Sequence, residues 1–212
     1  MTKDPITKTH SPNAGELVPN SSPPIIQFNR PYAADKSFDY MRQAIANAHT
    51  CGGGPFTKKC HKFLEQQLGV PKALLTTSCT DALEMCALLL GIGHGHEVIL
   101  PSYTFVSTVN AFVLHGATPV FCDIRADTLN LDESAVERLI SPRTKAIIPV
   151  HYAGVACEMD AIMEIAERHG LAVVEDNAHG LFGKYKGRHH RYAHWRSPAA
   201  YSRMTCLRRK AG

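Results

Sequence analysis

From Lys72 to Asp176 the chain alternates short, continuously apolar runs with segments of helical period. The apolar runs are ALLTT (73–77), EVIL (97–100), TPVFC (118–122), KAIIPV (145–150) and LAVVE (171–175). Helices are predicted over 80–90, 104–115 and 158–169, and from a cap at Asp132 through Ile140. Strands apolar on both sides must be buried on both sides, and helical crossovers are what cover them. The pattern predicts an α/β fold whose sheet is mostly parallel, with helices on both faces. Ligands of such sheets bind at the carboxyl ends of the strands. Ser78, the stretch Ser102 to Phe105, His151 and Asp176 all fall at those ends.

Ahead of this core, residues 1–24 are polar and rich in Pro, Ser, Thr and Asn, and read as a loosely held arm. Apolar residues at 38, 41, 45 and 48 predict a helix over Lys36 to His49, with Asp35 as its cap. Cys51-Gly52-Gly53-Gly54-Pro55 breaks it, either as a hinge or as backbone that approaches a ligand. Thr57 is the expected cap of the next helix, which Gly69 ends. Beyond Gly187 neither period persists, and Lys184 to Gly212 holds nine Lys or Arg and no acidic residue. The other 183 residues carry 14 basic against 19 acidic side chains. The net +4 therefore belongs to the tail, and a uniform basic field for nucleic acid is not expected.

Seven cysteines, an odd number without C-x-x-C spacing, point to a reducing compartment and a cytoplasmic protein. No signal peptide is legible at the N-terminus, and no apolar run approaches the roughly 20 residues of a membrane span. His94 and His96 sit in a glycine loop with no third ligand in view, so no metal site is expected.

Four constellations carry candidate chemistry. Thr77-Ser78-Cys79-Thr80 turns a strand into a helix, whose N–H groups and positive end favour an anion. Plain N-capping would need only one of those hydroxyls. The turn lacks glycine, which disfavours a nicotinamide dinucleotide or nucleoside triphosphate. Phe105, in Pro101-Ser102-Tyr103-Thr104-Phe105-Val106-Ser107-Thr108, would stack on a planar ligand or fill the core. Asp176, in Glu175-Asp176-Asn177-Ala178-His179, is a carboxylate at a buried strand end and needs a partner. A protonated ring nitrogen would serve, as would an Arg or a helix cap. His151 either lines the site or is a hydrogen-bonded core histidine.

Taken in order, these pieces resemble one family. TSCTDALEMCALLLGIGHGHEVILPSYTFVSTVNAFVLHGATPVFCDI, TKAIIPVHYAGVACEMDAI and LAVVEDNAHG look like the DegT/DnrJ/EryC1/StrS sugar aminotransferases, which have the fold-type-I architecture and use pyridoxal 5'-phosphate. GGGPFTKKCH and SYTFVST look most like the dTDP-4-amino-4,6-dideoxygalactose transaminase branch. The resemblance runs from about Ile26 to Gly187. It implies that Ser78, Cys79 and Thr80 hold the cofactor phosphate, Phe105 stacks on the ring, Asp176 pairs with the ring nitrogen, and His179 stands near the ring hydroxyl. It further implies a nucleotide-linked 4-keto-6-deoxy sugar as substrate, glutamate as amino donor, and a homodimer with sites at the subunit interface. His151, on the reading in which it lines the site, would touch substrate.

One implied residue has no match. The family's Schiff-base lysine lies beyond the aspartate in a segment resembling SFHxxKN, and no such segment follows Asp176. No catalytic residue is assigned for that reason. The expected organisation is an arm (1–24), a partial large domain (25–187) and an aperiodic basic tail (188–212) arising from a shifted reading frame. A non-catalytic sugar or cofactor binder, and an interaction module built on the tail, are the other expectations.

Overall fold

A computed structural model of the chain describes residues 33–189 and 205–208. The expected arm lies outside the described residues, as does most of the expected tail. Helix α1 (Lys36–Ala46) comes first, with Phe38, Tyr40, Met41 and Ile45 all exposed. Asp35 stands at its N-cap position but takes helical dihedrals and makes no side-chain cap bond, against expectation. In α2 (Pro55–Leu68) the cap is Gly54, not Thr57. Pro55 takes the first helical position, where its missing N–H and fixed φ suit the helix. Gly69 closes α2 in the left-handed region at φ 61°, as the sequence predicts.

The alternating core follows as β1 (Ala73–Thr76), α3 (Cys79–Leu89), β2 (Glu97–Pro101), α4 (Val106–Val113) and β3 (Thr118–Cys122). After it come α5 (Glu133–Val136), which continues as a 3₁₀ turn to Leu139, then β4 (Thr144–Ile147), α6 (Met159–His169) and β5 (Ala172–Val173). Asp132 caps α5 by accepting from the Ser134 N–H. A small antiparallel pair closes the described stretch, β6 (Lys184–Tyr185) with β7 (Arg188–His189). Last is β8 (Thr205–Arg208).

Four strands form one sheet in the order β3-β2-β4-β5, and every pairing in it is parallel. β1 pairs in parallel with β8, Ala73 opposite Thr205. That strand falls in the segment expected to be aperiodic. Four residues are too few to display a period, and β1 supplies the backbone groups that order them. β4 and β5 are shorter than their apolar runs because Pro149 has no N–H to donate. Pairing nevertheless continues irregularly, through Val174 N–H to Ile147 O, Asp176 N–H to Pro149 O, and His151 N–H to Asp176 O.

Side-chain alternation divides the core between the two faces of the sheet. Val98, Leu100, Ala146, Ile148 and Val174 pack on one side with Ala87 of α3 and Phe112 of α4. Ile99, Ile147 and Val173 pack on the other with Val136 of α5 and Ile162 of α6. Both faces of the sheet are covered, as the continuously apolar runs require. At the amino end of β2, Glu97 is buried against Ser141 and Arg143, away from the strand ends discussed next. No helix among the described residues is long and apolar enough to cross a membrane.

Cysteine burial makes a direct prediction. Cys51 and Cys60 are exposed, whereas Cys86, Cys122 and Cys157 are buried. Desolvation pushes the Cys122 thiol up to about 11 and the Cys157 thiol up to about 12. Brief alkylation of native protein at pH 8, read by mass spectrometry, should label Cys51 and Cys60 and spare Cys122 and Cys157. An unfolded thiol ionises near pH 8.5. Above that pH the unfolded chain releases protons that the folded chain keeps. Stability should therefore be full below about pH 8.5 and fall as pH rises through 11 to 12.

Candidate functional site

The turn after β1 is built by hydrogen bonds from small polar side chains. Ser78 is the N-cap of α3 and its Oγ accepts from the Asp81 N–H at 3.0 Å. The Thr77 hydroxyl donates to the Asp81 carboxylate. Hydrogen bonds from Thr77 and then Ser78 hold that carboxyl below the usual carboxylate range. Ser78 thus does the capping. The backbone N–H and hydroxyl of Thr80, half-buried in the first turn of α3, have no partner among the described residues. The helix start has one donor group committed to its own cap and another left for an anion.

The segment after β2 sets the second wall. Phe105 is the N-cap residue of α4 in extended conformation, and its ring is 72% exposed. It is not a core phenylalanine. Thr108, three residues on, is fully buried, and its hydroxyl donates to Asp176 Oδ2 at 2.7 Å. The hydroxyls of Thr104 and Thr108 lie 2.8 Å apart. No role was predicted for either threonine. Their i, i+4 spacing across a helix start, which puts two hydroxyls on one face, was the available signal.

Asp176 lies beyond β5, only 5% exposed. Besides Thr108, the Ala178 N–H donates to its Oδ1 at 3.2 Å, and Cys79 Sγ stands 3.6 Å from the same oxygen. The Thr77–Thr80 turn and the carboxylate, 97 residues apart in sequence, therefore meet directly. Neither an Arg nor a Lys pairs with Asp176 among the described residues.

His151 is placed differently from the expectation that it touches substrate. Its ring is 0% exposed. Nε2 lies 2.8 Å from Glu175 Oε2, and Nδ1 accepts from the Cys157 N–H at 3.2 Å. With both nitrogens committed inside the chain, it braces the β4 and β5 ends from within the core. His179 is exposed instead, and its Nδ1 accepts from the Ala153 N–H at 3.2 Å. Its ring stands edge-on to Tyr152 with centroids 5.6 Å apart. Tyr152 in turn shares a 2.9 Å hydroxyl contact with Tyr103, which raises the Tyr152 phenol above its ordinary value. The Tyr103–Tyr152–His179 cluster was not predicted. Gly180 ends this loop, and a Cβ there would collide with the buried Asn177 amide.

The structure thus joins Cys79, Asp176 and Thr108 by hydrogen bonds and sets Phe105 on the element that carries Thr108. Such a site offers N–H and hydroxyl donors for an anion at one end. At the other it offers a buried carboxylate for a cationic ring, with an exposed aromatic face between them in sequence.

Comparisons with known proteins point the same way. The sequence profile described as the DegT/DnrJ/EryC1/StrS aminotransferase family matches residues 32–202. DesV of S. venezuelae, solved in complex with a ketimine intermediate, is 38% identical. The match covers 73% of this chain and 43% of that one, with a TM-score of 0.66. The aminotransferase TlmJ from Streptoalloteichus hindustanus is 34% identical over 78% of this chain and 45% of its own, with a TM-score of 0.71. The PLP form of Spr1654, a putative sugar aminotransferase from Streptococcus pneumoniae, is 30% identical over 77% and 45%, at 0.70. The chain spans less than half the length of these structures.

Proposed function

The chain belongs to the DegT/DnrJ/EryC1/StrS aminotransferase family, and from that membership we propose that it cradles pyridoxal 5'-phosphate for amino transfer to a nucleotide-linked 4-keto-6-deoxy sugar. The dTDP-4-amino-4,6-dideoxygalactose transaminase branch, glutamate as donor and a homodimeric assembly complete this reading. The observation that carries it is Asp176. A buried carboxylate with hydroxyl, thiol and N–H donors, and no cationic side chain on it among the described residues, suits a ligand cation, and a protonated pyridine nitrogen is one. The Thr80 N–H and hydroxyl and the start of α3 would receive the phosphate. Phe105 would cover one ring face, and His179 would stand by the ring hydroxyl.

When bound, the cofactor supplies an aldehyde that takes up the amino group and a ring that accepts electrons. The chain's own contribution is to bind and orient. Asp176 would pair with the ring nitrogen, the helix start would hold the phosphate, and Phe105 would cover the ring. A lysine to hold the aldehyde is not assigned: Lys186 Nζ is bound to Asp160 at 2.7 Å, and Lys184 is exposed in β6. The 212 residues are therefore proposed to bind the cofactor reversibly without completing transamination. Absorption titration with pyridoxal 5'-phosphate, before and after borohydride, tests this. Saturable binding that leaves no covalent adduct is expected. A failure to bind overturns the cofactor reading, and a reduced lysine adduct overturns the reversible one.

A further inference from the structure

We propose that Thr108 is a positioning residue that fixes the orientation of the Asp176 carboxylate and turns the last open acceptor direction of Oδ2 toward the ring nitrogen. This rests on the cofactor reading above and extends it to a residue that reading does not use. An ionised carboxylate is acceptor-only, with about four lone-pair directions. On Oδ1 two are taken, by the Ala178 N–H and the Cys79 thiol. On Oδ2 one is taken, by the Thr108 hydroxyl at 2.7 Å. One direction remains among the described partners, and it belongs to Oδ2.

The donor order is also fixed. A hydroxyl has one proton, and Thr108 gives it to the carboxylate. At 2.8 Å Thr104 must then donate to the Thr108 oxygen, so the two hydroxyls form a one-way relay ending on Asp176. Polarised in this direction, each bond strengthens the next. Thr108 is fully buried, so no water replaces its hydroxyl if it is removed. It also lies in the first turn of α4, so the backbone of that helix fixes where its hydroxyl stands. Phe105 caps the same helix, so one rigid element would set both the ring plane and the carboxylate that meets the ring edge.

The test compares two probes on the 212-residue chain: pyridoxal 5'-phosphate and its 1-deaza analogue, which has C–H in place of the ring nitrogen. Thr108→Val keeps the shape and loses the hydroxyl. It should weaken pyridoxal 5'-phosphate binding about tenfold, the value of one charge-assisted hydrogen bond. Binding of the deaza analogue should change less than about twofold, since the lost bond acts only through the nitrogen. Thr108→Ser should restore the wild-type difference between the probes. If Thr108→Val does not fold by circular dichroism, Thr104→Val removes only the outer link and should show the same selectivity at about threefold. Equal losses for both probes, or no loss with the natural cofactor, overturn the proposal. Failure of the wild-type chain to bind pyridoxal 5'-phosphate overturns the cofactor reading itself, and this inference with it.

Discussion

Asp176→Asn should cut affinity for pyridoxal 5'-phosphate by about tenfold to a hundredfold, the cost of losing a hydrogen bond to a charged group. The amide is uncharged and offers one acceptor atom where the carboxylate has two. In the folded chain Asp176 accepts from Thr108 and Ala178 with the Cys79 thiol nearby, so an NH₂ must face at least one of these donors. Folding stability should fall as well, by about 1–3 kcal/mol. An absorbance titration reads the first effect and a urea midpoint the second. If stability falls while cofactor affinity stays within about twofold of wild type, Asp176 is a structural carboxylate and the ring nitrogen is held elsewhere.

His151→Ala should have the larger effect on folding and little on binding. Removing the imidazole takes away the 2.8 Å bond that it makes with Glu175 inside the core and the bond that its Nδ1 accepts from the Cys157 N–H. Leaving a buried donor or acceptor unmatched costs about 1–3 kcal/mol per group, and two groups lose a bond here. The urea midpoint should drop accordingly, while cofactor affinity per folded molecule, measured at low temperature, should stay within about twofold of wild type. The reverse outcome, normal stability with lost cofactor or sugar affinity, would return His151 to the ligand side.

These two residues mark where sequence reading succeeds and where it stops. Asp176 was legible because an acid closing an apolar strand demands a partner. The ligand-side role proposed for it rests on strand-end logic and family resemblance together. Its partners inside the chain were not legible. Thr108 sits among Ser102, Thr104 and Ser107, and only the packing of α4 on the sheet selects it. His151 and Glu175 are 24 residues apart, and they meet because the irregular end of the β4–β5 pairing brings them together. The sheet itself was read correctly from its apolar runs, since burial on both faces leaves no alternation to misjudge. Helix starts were read less well. Asp35 has the side chain for a cap, but its backbone is already helical, and Gly54 with Pro55 supplies a start that needs no side chain.

The pairing of β1 with β8 carries a kinetic consequence. Ala73 faces Thr205, so more than half the chain lies between the two partners. The β2–β3 and β4–β5 pairs each enclose only one helix and its loops. Their closure entropy is smaller, and they should form first. The edge of β1 then stays open longest during folding, and the Thr77–Thr80 turn is the continuation of that strand. The turn proposed to take the phosphate should therefore be the last part of the site to become rigid, whereas Asp176, anchored beside β4 through Pro149, is ordered early. A refolding chain would meet the cofactor's ring before it could grip the phosphate.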